Sequence, residues 1–158
     1  MKRLLAMFAA VANLVLADAV AKELASGLLK GRGPVEFTPV FNLAYVENRG
    51  CAWGMFQGAV WPLAVFGIAA LVFLVLKRRA VFGDAFVAPC LLYAGIAGNV
   101  IDRLFRGYVV DMLDFHWRGS HFPCFNLADS FITVAAVLIV ALSFAEEGAK
   151  KRKGNKSC

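Results

Sequence analysis

Residues 125–145 read Phe125-Asn126-Leu127-Ala128-Asp129-Ser130-Phe131-Ile132-Thr133-Val134-Ala135-Ala136-Val137-Leu138-Ile139-Val140-Ala141-Leu142-Ser143-Phe144-Ala145. The run is almost wholly apolar and falls within the ~17–25 residues that a membrane-spanning helix needs. Phe122-Pro123 just upstream gives the helix a defined start. Four residues into it stands Asp129. A carboxylate in hydrocarbon costs roughly 2.5–3.5 kcal/mol at a helix centre on insertion scales, and less toward the edge. Something must compensate it.

Working outward from this segment, three more apolar runs are read at about Leu4–Val20, Gly58–Leu76 and Ala85–Phe105. The chain of 158 residues is 60% hydrophobic, above the ~45–50% of soluble domains. The sequence therefore predicts an integral membrane protein of four transmembrane helices, in one domain over residues 1–145. The net charge of +6 does not point to nucleic acid. The basic residues gather beside apolar runs as Lys2-Arg3, Lys77-Arg78-Arg79 and Lys150-Lys151-Arg152-Lys153. Positive-inside logic puts these clusters and both termini in the cytoplasm, and segments 21–57 and 106–124 outside. Residues 146–158 read as a charged, disordered cytoplasmic tail.

The N-terminus also fits a cleavable signal sequence, with a basic start, an apolar core and Ala19-Val20-Ala21. Against that reading, Asp18 and Lys22 are spaced i,i+4 and can pair on one helix face, as a retained helix would use them. The outer segment Val35–Phe56 is rich in β-branched and aromatic residues broken by Pro34, Pro39 and Asn48-Arg49-Gly50. It predicts short strands and turns that could grip an extended peptide.

Polar residues crowd the outer ends of the spans. Asn99, Asp102 and Arg103 are spaced to project from one face, where Arg103 could neutralise Asp102 or hold a substrate group. Asn126 and Asp129 share a face in the same way. Asp111 lies 18 residues before Asp129, and Gly107 supplies a joint by which the chain can return. Two facing carboxylates cannot both ionise, so they share a proton. One can then take a proton from water while the other polarises a carbonyl, as in an aspartic hydrolase. His116, His121 and Cys124 match no familiar metal spacing, and no metal or cofactor is expected. The cysteines Cys51, Cys90, Cys124 and Cys158 form no CxxC pair, and a Cys51–Cys124 disulfide is left open.

Four blocks together resemble those of the lipoprotein signal peptidases (signal peptidase II). They are Asp18-Ala19-Val20-Ala21-Lys22, Asn48-Arg49-Gly50-Cys51-Ala52-Trp53-Gly54, Gly98-Asn99-Val100-Ile101-Asp102-Arg103 continuing to Gly107-Tyr108-Val109-Val110-Asp111, and Phe122-Pro123-Cys124-Phe125-Asn126-Leu127-Ala128-Asp129-Ser130. The resemblance implies a four-helix aspartic endopeptidase of the bacterial inner membrane with a small extracytoplasmic β-cradle, and a monomer is expected. It implies a substrate already carrying diacylglycerol on a cysteine, cut just before that residue. Asp111 and Asp129 would be the catalytic pair, with Asn48, Gly50, Asn99, Arg103 and Asn126 lining the site and Asp18 and Lys22 supporting it. Ala19 stands where that family usually has Gln, Met112 where Phe usually follows the catalytic Asp, and Trp53 where Phe is usual. A transporter or channel subunit using Asp18, Asp102 and Asp129 as an ion path is the rival reading, but it would be expected to place acids near mid-bilayer. A noncatalytic assembly factor that binds a partner through the outer loop would give Asp111 and Asp129 no task.

Overall fold

The computed structural model describes residues 1–51 and 55–154, with side chains as far as 145. Five helices and four strands follow one another as α1 (Lys2–Leu29), β1 (Val35–Thr38), β2 (Phe41–Asn48), α2 (Val60–Leu76), α3 (Arg78–Phe82), α4 (Val87–Arg106), β3 (Val109–Trp117), β4 (Ser120–His121) and α5 (Leu127–Gly154). Two of them, α1 and residues 127–145 of α5, are long and apolar enough to cross a membrane. Helix α2 is apolar but shorter, and α4 carries Asp102, Arg103 and Arg106 in its last turns. Leu4, Phe8, Phe66, Leu76 and Phe144 stand exposed on the helix surfaces. In water such a display would be unfavourable, whereas lipid is an adequate solvent for it.

Small residues let the helices approach. At Gly98 of α4 an added Cβ would sit 2.6 Å from Asp18 Oδ2 and 3.3 Å from Ala128 Cβ, so α1, α4 and α5 meet where a side chain cannot fit. One apolar cluster joins Met7, Phe82, Cys90 and Tyr93; another joins Ala25, Leu29, Val110 and Met112, fastening the sheet to α1.

The strands form one antiparallel order β1-β2-β3-β4. Helix α4 ends at Gly107, whose φ of 76° and ψ of 10° turn the chain left-handed into β3. Val46, Glu47 and Asn48 of β2 pair with Asp111, Val110 and Val109. The β3–β4 turn puts Arg118 and Gly119 at φ of 49° and 82°, the signs that a tight two-residue hairpin requires. The chain then comes back to β3: Phe125 N–H donates to Leu113 O at 3.1 Å, and Phe125 O accepts from Met112 and Leu113 N–H at 3.0 and 2.8 Å.

One expectation changes and two readings are made specific. Segment 106–124 holds β3 and β4, so the small β-structure expected beside the helices is a four-stranded sheet. Its Val-Val-Asp-Met-Leu-Asp-Phe-His-Trp sequence has the β-branched and aromatic residues that favour a strand. The expected disordered tail does not begin at 146, because α5 continues to Gly154 on residues of good helix propensity such as Ala, Glu and Lys. Cys51 and Cys124 are not joined in a disulfide. The motif residues Ala52, Trp53 and Gly54, and residues 155–158, lie outside the described residues.

Candidate active site

The start of α5 is built as a reciprocal cap. Asp129 N–H donates to Asn126 Oδ1 at 3.0 Å, and Asn126 N–H donates to Asp129 Oδ2 at 3.2 Å. This is the capping-box arrangement, with Asp at the third helical position. Ala128 N–H, which neither of them reaches, donates to Asp18 Oδ1 of α1 at 2.9 Å. The helix end is thus satisfied by side chains from two elements, and Asp129 is fixed in orientation by the cap it helps to make.

Asn126 also joins the two acids. Its Nδ2 donates to Asp111 Oδ1 at 2.6 Å and to Asn99 Oδ1 at 3.2 Å. Asn99 Nδ2 donates to Asp129 Oδ1 at 2.7 Å, while Asn48 Nδ2 donates to Asp111 Oδ2 at 2.9 Å. Asp111 is 1% exposed and Asn126 fully buried. Burial, and then the charge of Asp129, push the Asp111 pKa up to about 7, which lets this carboxyl hold a proton near neutrality.

Behind these residues lies a charged layer. Lys22 and Asp18, each 1% exposed, pair at 2.7 Å as their spacing predicts. Lys22 also reaches Asp102 Oδ2 at 3.1 Å and Asn99 Oδ1 at 3.3 Å. With Lys22 and Asn126 both donating to its oxygen, the Asn99 amide must turn its NH2 toward Asp129. Arg103 does not neutralise Asp102. That task falls to Lys22 and to Arg106, whose Nε lies 3.0 Å from Asp102 Oδ1 and whose other end reaches Glu23 at 2.6 Å. Asp102 Oδ2 further accepts Val110 N–H at 3.1 Å, directly before Asp111. Arg103 instead donates to Gly50 O at 2.8 Å and Asn99 O at 3.2 Å. It holds the turn in which Gly50 N–H donates to Asn48 Oδ1 at 2.9 Å, and a Cβ at Gly50 would strike the carbonyl of Met55.

A cavity of about 690 Å³ opens over the pair, lined by Asn48, Asn99, Arg103, Asp111 and Asp129 together with apolar residues including Val109, Phe122, Pro123, Phe125 and Ile132. Of the residues singled out in the sequence, Asn126, Asp18, Lys22 and Gly50 sit behind this surface and connect to it through the bonds above. Sequence reasoning did not find the joint role of Asp102, Arg106 and Glu23. The Asn126-x-x-Asp129 spacing, read as a capping box, would have located the helix start. Cys124 also lines the cavity, yet burial and the charge of Asp111 push its thiol up to about 12, leaving little thiolate to act as nucleophile. His116 and His121 face the sheet: His121 Nδ1 lies 2.8 Å from Asp114 Oδ1, and His116 Nε2 lies 3.2 Å from Asn42 Oδ1. No metal-binding cluster occurs among the described residues.

A cavity with two acids in one hydrogen-bonded frame suits hydrolysis of a peptide bond. Comparison with known proteins points the same way. Residues 10–145 match the family model described as Signal peptidase (SPase) II. The lipoprotein signal peptidase of Aeromonas hydrophila is 42% identical over 123 residues, covering 73% of this chain and 74% of that protein. That of Thermodesulfovibrio yellowstonii is 41% identical over 131 residues, covering 80% and 86%. A solved structure described as a bacterial membrane enzyme superposes with a TM-score of 0.75 at 29% identity, covering 92% of this chain and 91% of that one. A second so described gives 0.72 at 31% identity, covering 88% and 92%.

Proposed function

The chain belongs to the signal peptidase II family, and from that footing we propose that Asp111 and Asp129 are the catalytic pair of an aspartic endopeptidase. The protein is a membrane protease that removes signal peptides from prolipoproteins. The observation that carries the catalytic assignment is Asn126, which bonds to Asp111 and caps Asp129 so that both acids face one cavity. The acids share one proton. Asp111, with its pKa pushed up to about 7, carries it and gives it to the scissile carbonyl oxygen. Asp129 takes a proton from a water that attacks the carbonyl carbon. Asn99 and Asn48 keep the two carboxylates in fixed orientation, which limits reorganisation during the reaction.

The substrate is a prolipoprotein bearing diacylglycerol on cysteine, cut before that residue. The apolar lining by Phe122, Phe125, Ile132 and Val134 supports a substrate that brings both a peptide and hydrocarbon to the acids. Four helices (α1, α2, α4 and α5) span the inner membrane, with both termini in the cytoplasm and the acids at the extracytoplasmic face. The chain acts as a monomer among membrane lipid. The experiment is a gel-shift assay on a prolipoprotein with and without its diacylglyceryl group. Cleavage of the lipidated form alone, lost in Asp129→Asn, is the expected result. Cleavage by the folded Asp129→Asn protein would overturn the catalytic assignment, and equal cleavage of both forms would overturn the lipid requirement.

A further inference from the structure

At the end of the bundle away from the acids, the chain between α2 and α4 folds into the short helix α3 and leaves a second cavity of about 600 Å³. Its wall is apolar along α4 and α5, where Val87, Ala88, Leu138, Ile139 and Leu142 contribute, and its rim carries Arg79. The basic run Lys77-Arg78-Arg79 opens α3. Arg78 is committed to the fold, donating to Ala85 O at 3.3 Å. The one acid on the rim, Asp84, is matched by Arg3 of α1 at 3.7 Å. Arg79 is exposed; its carbonyl accepts Gly83 N–H at 3.0 Å, but its guanidinium makes no ion pair or hydrogen bond among the described residues.

A cation above an apolar cleft, at the point where helices leave the hydrocarbon, is complementary to a lipid with an anionic head and acyl chains. Basic pockets between transmembrane helices recognise acidic phospholipids through this combination, and a guanidinium suits a phosphate. We infer that the cleft between α3, α4 and α5 is a binding site for an anionic phospholipid, its phosphate on Arg79 and an acyl chain along Leu138, Ile139 and Leu142. Bound there, the lipid bridges the α2–α4 connection to α5 at the end of the bundle where no sheet braces the helices. The site is separate from the catalytic cavity and shares no lining residue with it.

The test is native mass spectrometry of the full chain, released from micelles containing equal amounts of phosphatidylglycerol and phosphatidylcholine. The wild type should retain phosphatidylglycerol in excess. Arg79→Gln should lower that retention about fivefold, the effect of one near-surface cation, while Arg79→Lys keeps most of it. Ser143→Trp, which fills the apolar side of the cleft, should lower retention with the head-group cation intact. Thermal unfolding of each variant verifies that it is folded, and cleavage is expected to be unchanged because these residues lie outside the catalytic cavity. Equal retention of the two lipids, wild-type retention in folded Arg79→Gln and Ser143→Trp, or displacement by inorganic phosphate would each overturn the site.

Discussion

Replacing Lys22 by Met would test whether the buried charged layer both holds the helices and aims the proposed catalytic pair. Lys22 is 1% exposed, and its ammonium lies 2.7 Å from Asp18, 3.1 Å from Asp102 and 3.3 Å from Asn99. At an effective dielectric of ~20, each of the two ion pairs has a gross Coulomb energy of about 5–6 kcal/mol. Removing the lysine also relieves the cost of burying its own charge. The net loss from breaking a buried pair is then about 3–5 kcal/mol, which corresponds to a fall in melting temperature on the order of 10 °C. Asp102 keeps Arg106, so the uncompensated charge is that of Asp18. Adding Asp18→Asn removes that charge and still leaves an oxygen for Ala128 N–H. The double variant should therefore recover ~1–3 kcal/mol through coupling between the two sites. Cleavage should stay depressed in both proteins, because Asn99 has lost a donor that orients its amide toward Asp129. The assays are thermal unfolding in detergent and prolipoprotein cleavage. A Lys22→Met protein that melts with the wild type, or a double variant with no recovery, would refute the reasoning.

Other expectations follow from the same frame. The pKa of Asp111 is raised in the folded protein to about 7 from ~3.9 in an unfolded chain. The contribution of Asp111 to stability is therefore fully present below about 4 and is lost as pH rises through about 7, a slope that Asp111→Asn should flatten in unfolding measurements across that range. Cleavage should decline over the same upper limb as the shared proton is lost, and a rate flat from pH 6 to 9 would exclude the assigned role. Gly98→Ala places a methyl 2.6 Å from Asp18 Oδ2 and should destabilise by ~1–3 kcal/mol through forced separation of α1, α4 and α5. A melting point equal to wild type would show that the helices can part without cost. Asn126→Ala removes an N-cap worth ~0.5–2 kcal/mol as well as a bond to Asp111. Its cleavage rate should fall further than that of Asn99→Ala, and the reverse order would move the positioning role to Asn99.

Period and composition made the helices readable, because an apolar run in this chain has only one way to satisfy its backbone in lipid. The runs at Gly58–Leu76 and Ala85–Phe105 lie within two residues of α2 and α4 at each end. The i,i+4 pairing of Asp18 and Lys22 was also legible, since both partners lie on one helix and need no tertiary information. Strand β3 was less so. Its residues suit a strand, but β structure depends on a partner, and β2 lies more than sixty residues earlier.

What the sequence determined by itself was the membrane class, the apolar helices and which acids stand beside them, since hydropathy and side-chain chemistry are local properties. The resemblance of its motif blocks supplied the roles proposed for those acids. Tertiary structure decided how the acids come to face one cavity: Phe125 bonds back to Leu113, and Asn126 caps Asp129 while donating to Asp111. It also assigned Asp102 to Lys22 and Arg106 rather than to Arg103. Spacing along one helix limits which face a side chain occupies, but which charge it meets there depends on what another helix brings to that face. Asp102 and Arg103 are adjacent in the chain, yet successive residues on a helix point in different directions, and only the packing of α1 against α4 selects between their partners.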